Sequence, residues 1–298
     1  MRPLAITMMP ATLDVPNDAV DVERPVANPP ATMTLSTLLA GFMKSDQLFT
    51  YRGGGAGVEY ISGMAAMLVQ HPQGDILIDS GFGRDVEEQF LSTPKLMQLL
   101  SKVEAETPVA DQLLAQRYDP QQLKAVYITH EHWDHVSGLP DLAGVPVMRT
   151  AAAQEFIESG DEAAHVAANF ENVTYTNYGF TSGPYETFSE SHDVYGDGAV
   201  VVVPMAGHTP GSVGVFINLP SGKRYLLIGD LTWAKEGVDL PAERPWLARR
   251  MVDVDAEAVR QMIVKVHQLK KLRPELIVVP AHDRRMHEQM ANYPAVEN

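Results

Sequence analysis

Apolar residues along this chain gather in short runs that stop at Gly, Pro, Asp or His, and the spacing within and between the runs predicts the elements. Compact Val-, Ile- and Leu-rich runs at Gly63 to Val69, Ile76 to Ile78, Leu123 to Ile128, Val200 to Met205, Gly214 to Leu219, Tyr225 to Ile228 and Leu276 to Val279 are too short for helices and read as strands. His71-Pro-Gln-Gly74 turns the first pair, with His71 as a turn residue, and Pro220-Ser-Gly222 turns the pair around it. Helix-like apolar spacing covers Thr34 to Leu48 and Arg84 to Gln116, where Pro94 and Pro108 should divide the segment into two or three helices. A further helix begins at Ala151 to Phe156, and an amphipathic one runs from Asp255, its N-cap, to Leu272. Gly53-Gly-Gly-Ala-Gly57 lacks the Lys-Ser/Thr of a phosphate-binding loop and reads as a hairpin or loop.

Strand ends are where chemistry is expected, because the sheet supplies stiffness and the loop leaving it can project several side chains into one volume. Directly after the run ending at Ile128, the chain reads His130-Glu-His-Trp-Asp-His135, four potential metal donors within six residues. The same arrangement recurs downstream. His208 follows Val200 to Met205 in a Gly/Pro turn, Asp230 ends the run from Tyr225, and His282 ends Leu276-Ile-Val-Val-Pro-Ala-His282. Imidazole and carboxylate together suit zinc or a similar divalent ion. His165, His192, His267 and His287 lack such a setting and read as loop, surface or helix residues.

With motif, order and context together, the chain from about Met64 to His282 resembles the metallo-β-lactamase superfamily of metal-dependent hydrolases. The resemblance implies an α/β fold, a four-layer αββα sandwich. It also implies two divalent metal ions, zinc in first place. His130, His132 and His208 would hold the first, Asp134, His135 and His282 the second, with Asp230 bridging them. Asp79, ending Asp75-Ile-Leu-Ile-Asp79, would orient a ligand histidine through its second ring nitrogen. A hydroxide shared by the two ions would be the nucleophile. Asp134 would be the catalytic carboxylate, orienting that nucleophile and passing its proton to the leaving group. Phe82, Trp133, Trp233 and Trp246 either wall an apolar substrate site or pack in the core. Acyl-homoserine lactonases of this type carry a tyrosine three residues beyond the bridging aspartate; here that position is Trp233.

Charge and composition narrow the substrate. The 298 residues carry a formal net charge of −15, a field that repels nucleic acid and anionic surfaces and favours a small neutral or apolar substrate. No cysteine is present, which removes disulfides, a catalytic thiol and a thiolate zinc ligand. No uninterrupted apolar stretch reaches the roughly 18 residues of a membrane span. Met1 to Pro10 is a poor signal peptide, which favours the cytoplasm unless a leader was removed. Prolines and acidic residues over 14 to 30 suggest an extended arm over 1–30, ahead of a single hydrolase domain over 31–298 with a helical insertion around 84–118. That insertion either caps the site, through Phe90, Met97 and Leu100, or forms the usual outer layer. Arg244, Arg249 and Arg250 either bind a substrate carboxylate or are solvated.

The reaction expected is hydrolysis of a small, fairly apolar ester or lactone. Phosphotriester, phosphodiester or thioester hydrolysis on the same site is the alternative, and a non-catalytic metal-binding effector is the alternative of another class. Oligomeric state is left open.

Overall fold

Each apolar run read as a strand forms one, and the strands sort into two sheets whose facing sides make the central core. The computed structural model of the chain describes residues 8–16, 22 and 24–298. Of the arm expected over 1–30, residues 1–7, 17–21 and 23 lie outside the described residues. The rest touches the domain, Leu13 N donating to Pro241 O and Asn28 N to Asp197 O, both at 2.8 Å.

The first sheet contains β1 (Thr34–Asp46), β2 (Glu59–Gln70), β3 (Asp75–Ile78), β4 (Lys102–Ala105), β5 (Leu123–Tyr127), β6 (Val147–Arg149) and β7 (Tyr175–Asn177), in the order β4-β1-β2-β3-β5-β6-β7. The second contains β8 (His192–Asp193), β9 (Val200–Pro204), β10 (Val213–Asn218), β11 (Arg224–Leu227) and β12 (Leu276–Val279), in the order β12-β11-β10-β9-β8. Both are mixed: β3, β5, β6 and β7 run parallel, as do β11 and β12, while the hairpins are antiparallel. Helices among the described residues are α1 (Val86–Leu91), α2 (Lys95–Leu100), α3 (Val109–Ala115), α4 (Trp133–Val136), α5 (Ala151–Glu158), α6 (His165–Ala168), α7 (Lys235–Asp239), α8 (Trp246–Val252), α9 (Ala256–Leu272) and α10 (Arg284–His287).

Three apolar clusters give the layer order. Met67, Ile76, Ile78 and Tyr127 of the first sheet meet Val200, Val202, Val215 and Leu227 of the second. On the outer side of the first sheet, Leu68, Leu77 and Val126 pack on Val86, Leu113 and Phe156 from the helices. On the outer side of the second, Val201, Phe216 and Leu226 pack on Ile263, Val266 and Leu269 of α9. The result is helix, sheet, sheet, helix, the four-layer αββα sandwich expected. No helix among the described residues is long and apolar enough to cross a membrane.

Two differences from the sequence reading have physical causes. Thr34 to Leu48 is not a helix; Thr34–Asp46 is the long strand β1, paired with β2 and β4. Its register shifts between Leu39 and Gly41, so the residues facing the outer helices change from Leu38 and Ala40 to Met43, while Leu35 faces the other sheet. A bulged strand buried on both faces loses its period of two and imitates helical spacing. Within 84–118 the prolines do divide the helices, Pro94 and Pro108 standing just ahead of α2 and α3, but edge strand β4 lies between them. Its Lys102-Val-Glu-Ala105 sequence is largely exposed and carries little apolar signal. The cap of α9 is as read: the Asp255 carboxylate accepts from Glu257 N and Ala258 N, both at 3.0 Å, an arrangement that stabilises a helix by about 1 kcal/mol.

Candidate metal centre

All seven donors singled out in the sequence meet at one edge of the sandwich, where β5 of the first sheet and β9, β11 and β12 of the second release the chain. Gly229, in the left-handed region at φ 49°, turns the end of β11 into Asp230. The ligand atoms form three overlapping triples, each within 4.8 Å: His130, His132 and His208; His130, His135 and Asp230; and Asp134, His135 and His282. His208 Nε2 stands 2.9 Å from His132 Nδ1, and His135 Nε2 stands 3.3 Å from His282 Nε2. Asp230 lies between the groups. Its Oδ1 is 3.1 Å from His135 Nε2 and 3.0 Å from His282 Nε2, and its Oδ2 is 3.5 Å from His208 Nε2. Asp134 Oδ2 is 3.4 Å from His282 Nε2.

The electrostatics of so many buried polar groups call for a shared partner. His130 Nε2 is buried without a hydrogen-bond partner, a cost of about 1–3 kcal/mol unless something satisfies it. Burial holds His130 and His132 well below the usual imidazole range, and the neighbouring His135 and His208 respectively add to it. Burial also lowers His208, against the pull of Asp253 and Asp230. His135 goes the other way: burial opposes its charge, but Asp79 and Asp230 outweigh burial and raise it well above the ordinary value. His282 is likewise raised, by Asp230 and Asp134 against burial. Burial would raise Asp230, yet His282 and His135 hold it well below the carboxylate range. Imidazoles and carboxylates converging in this way are a donor set suited to a divalent cation, which would displace the protons of His135 and His282.

Around these side chains sits a set of holders. Asp79, itself at φ 57°, accepts from Thr129 N at 2.7 Å and Thr129 Oγ1 at 2.8 Å, and its Oδ2 accepts from His135 Nδ1 at 2.9 Å. His282 Nδ1 donates to Gly63 O at 3.1 Å. His208 Nδ1 faces Asp253 Oδ1 at 2.9 Å, with Arg244 behind the pair. Asp253 is not singled out by the sequence, and the sequence offers Arg244 as a substrate contact or a solvated residue, not as a partner beneath the ligands. Asp253 looks like part of the polar start of α9, and no local signal places it under a histidine 45 residues away. Arg244 corrects the reading of a solvated or substrate-binding cluster: it is buried, donating to the main-chain oxygens of Asp230 and Leu231. Arg249 pairs with Glu243, and Arg250 is exposed. Glu131, between two ligands, is fully buried, accepts from Thr209 Oγ1 at 2.6 Å, and has its carboxyl raised by burial.

Beside the cluster opens a cavity of about 270 Å³. His132, Asp134, His208, Asp230 and His282 form one end, and Met43, Met64, Met97, Leu100, Val166 and Met251 supply much of the rest. Trp133 and Trp233 are on its wall. Phe82 is not: it is 1% exposed and stacks behind Trp133 with ring centres 5.5 Å apart, because it follows the tight β3 turn into the outer core. Trp246 points to solvent, 41% exposed, while Leu247 and Met251 of the same helix face the cavity. In the 84–118 segment, α2 lines the cavity through Met97 and Leu100, whereas Phe90 packs on Trp133 and α1 and α3 belong to the outer layer.

Comparison with known proteins agrees with this architecture. The family model described as the metallo-beta-lactamase superfamily matches residues 65–282. A probable metallo-hydrolase of Mycobacterium bovis is 26% identical over 241 residues, 73% of this chain and 73% of that protein. The N-acyl homoserine lactonase AttM of Rhizobium radiobacter is 25% identical over 191 residues, 60% of this chain and 68% of its own length. In three dimensions, an N-acyl homoserine lactone hydrolase solved with the product N-hexanoyl-L-homoserine at its catalytic metal centre superposes with a TM-score of 0.71. That structure is 18% identical, over 89% of this chain and 98% of its own.

Proposed function

The chain belongs to the metallo-beta-lactamase superfamily, and from that premise we propose that it is a metal-dependent hydrolase that opens a small, fairly apolar ester or lactone. His130, His132 and His208 would hold one divalent ion, Asp134, His135 and His282 a second, and Asp230 would serve both; zinc suits this nitrogen and oxygen set. Bound there, the ions supply electrophilic charge and make water acidic enough to attack at neutral pH.

The chain's own residues divide the remaining work. Asp134, the least buried of the seven with a side chain 13% exposed, faces the cavity and can take a proton from the attacking water and return it to the leaving oxygen. The methionine and leucine wall receives the apolar part of the substrate and keeps bulk water from the reacting end. Asp161 and Glu162 also line the cavity, and their charge disfavours an anionic substrate such as a glutathione thioester. The lactonase relatives support a lactone within this class. Because the Trp233 indole N–H is already donated to Asp230 Oδ2 at 2.7 Å, it offers no free donor where acyl-homoserine lactonases carry tyrosine, and we read the substrate as a broader ester or lactone.

The observation that carries this reading is the convergence of the three donor triples at the end of an apolar cavity. The experiment is metal analysis together with turnover on lactones, aryl esters and phosphotriesters, with and without added zinc. About two ions per chain and zinc-dependent cleavage of apolar lactones or esters are expected. Well under two ions, or hydrolysis unchanged by chelation, would overturn it. Preference for phosphotriesters would move the substrate class, and metal without turnover on any substrate would make the protein an effector.

A further inference from the structure

Beneath the ligands, the buried Arg244 and Asp253 connect with the half-buried Trp233 in one set of contacts. Trp233 has a single donor, and it is committed to Asp230 Oδ2 at 2.7 Å. The Arg244 guanidinium stands 4.8 Å from the centre of that indole, a cation–π contact. The same guanidinium donates through Nη1 to Leu231 O at 2.9 Å and through Nη2 to Asp230 O. Its Nη2 is also 3.2 Å from Asp253 Oδ1, with both side chains 1% exposed. Asp253 Oδ1 in turn stands 2.9 Å from His208 Nδ1.

We propose that Trp233, Arg244 and Asp253 are positioning residues, one connected relay that sets the side chains of Asp230 and His208, and that Trp233 serves Asp230 and not the substrate. Arg244 Nη2 has two protons, and its contacts to Asp230 O and Asp253 Oδ1 can use both, which favours one tautomer of His208. Arg244 Nη2 lies 3.0 Å from His208 Nδ1, but arginine only donates and Asp253 only accepts. A proton on Nδ1 satisfies Asp253 and leaves Nε2 a lone pair directed at the cluster, whereas a bare Nδ1 would oppose the carboxylate. On the other arm, the indole occupies one lone pair of Asp230 Oδ2, which orients the carboxylate and leaves Oδ1 free toward His135 and His282. A buried arginine–aspartate pair gives little net stability over apolar residues of the same size. Its value here is orientation, as in other shells around ligand histidines.

The inference rests on the metal-centre reading but not on the substrate. The test uses the full-length zinc protein and three variants, Trp233→Phe, Arg244→Lys and Asp253→Asn. Zinc affinity, read by competition with a chromophoric chelator, should fall about 10–100-fold in Trp233→Phe and Asp253→Asn. At saturating zinc, kcat of Asp253→Asn, whose side chain is outside the cavity lining, should move back toward the wild-type value. Trp233→Phe keeps an aromatic ring beside Arg244 and removes the N–H. Unchanged zinc affinity with a raised KM in that variant would make Trp233 a substrate donor and overturn the proposal. Should a variant not fold, imidazole 15N NMR of the wild-type protein decides: His208 protonated on Nδ1 is expected, and protonation on Nε2 would refute the relay. Zinc affinity is read without turnover, so failure of ester or lactone hydrolysis and failure of the relay are separate results.

Discussion

Asp79 is the point at which stability and the metal centre can be separated by one atom. Its carboxylate accepts three hydrogen bonds, from Thr129 N, Thr129 Oγ1 and His135 Nδ1, at 2.7, 2.8 and 2.9 Å. Hydrogen bonds to a charged partner contribute about 1.5–3 kcal/mol each, so Asp79→Ala strands donors worth roughly 4–9 kcal/mol. It also places a residue with a plain Cβ at φ 57°, a further cost of about 1–2 kcal/mol. Against a typical stability of about 5–15 kcal/mol, Asp79→Ala should fold poorly. Asp79→Asn is the informative change, since Asn tolerates the left-handed backbone and keeps an oxygen for Thr129 N. Its amide then opposes the His135 Nδ1 proton. Either that bond is lost or the imidazole changes tautomer and withdraws the Nε2 lone pair from the cluster. Zinc affinity should fall about 10–100-fold, which is about 1.4–2.7 kcal/mol. Chelator competition reads this directly, and thermal unfolding should show zinc stabilising the variant less than wild type by a similar amount. A folded Asp79→Asn protein that binds zinc as tightly as wild type would refute the reasoning.

Other changes test other parts of the site. Asp134→Asn, assayed at saturating zinc, should lower kcat by about 10²–10⁴-fold, the range of a lost general acid–base group; retained turnover would remove Asp134 from proton transfer. His135 and His282 have folded pKa values above the ordinary 6.5, so in the metal-free protein their stability contribution is complete below that value. It is lost as pH rises through the raised ones. Zinc must displace those protons, so its apparent affinity should rise with pH over the same window. Calorimetry in buffers of different ionisation heat should detect proton release near neutrality, and its absence would contradict the assignment. Along a homologous series of acyl esters or lactones, kcat/KM should climb about threefold to fourfold per methylene, from about 0.8 kcal/mol each, until the cavity is full. Met251→Lys should flatten that climb, and a length-independent rate would place the chain outside the cavity.

What could be read from the sequence follows from how far apart the determining contacts are. The His130 to His135 cluster, His208, Asp230 and His282 were legible because each follows a short apolar run, so the local pattern announces both the strand and the exposed end. Asp79 was legible for the same reason. Strand β1 was not, because a bulge and burial on both faces erase its alternation. Arg244 and Asp253 carry no local signal, since their partners are Asp230 and His208 across the fold. The aromatic residues divide likewise: Trp133 and Trp233 adjoin donors and reach the cavity, while the orientation of Phe82 and Trp246 depends on layers that local sequence does not display.

The donors are shared unequally between the sheets, His130 to His135 leaving the first and His208, Asp230 and His282 leaving the second. A cation held by both groups would act as a rivet through the seam where Ile78 and Tyr127 face Val215 and Leu227. Prising the two halves apart would then have to eject the ion before the seam could hydrate, so resistance to unfolding and retention of the ion would be one and the same barrier.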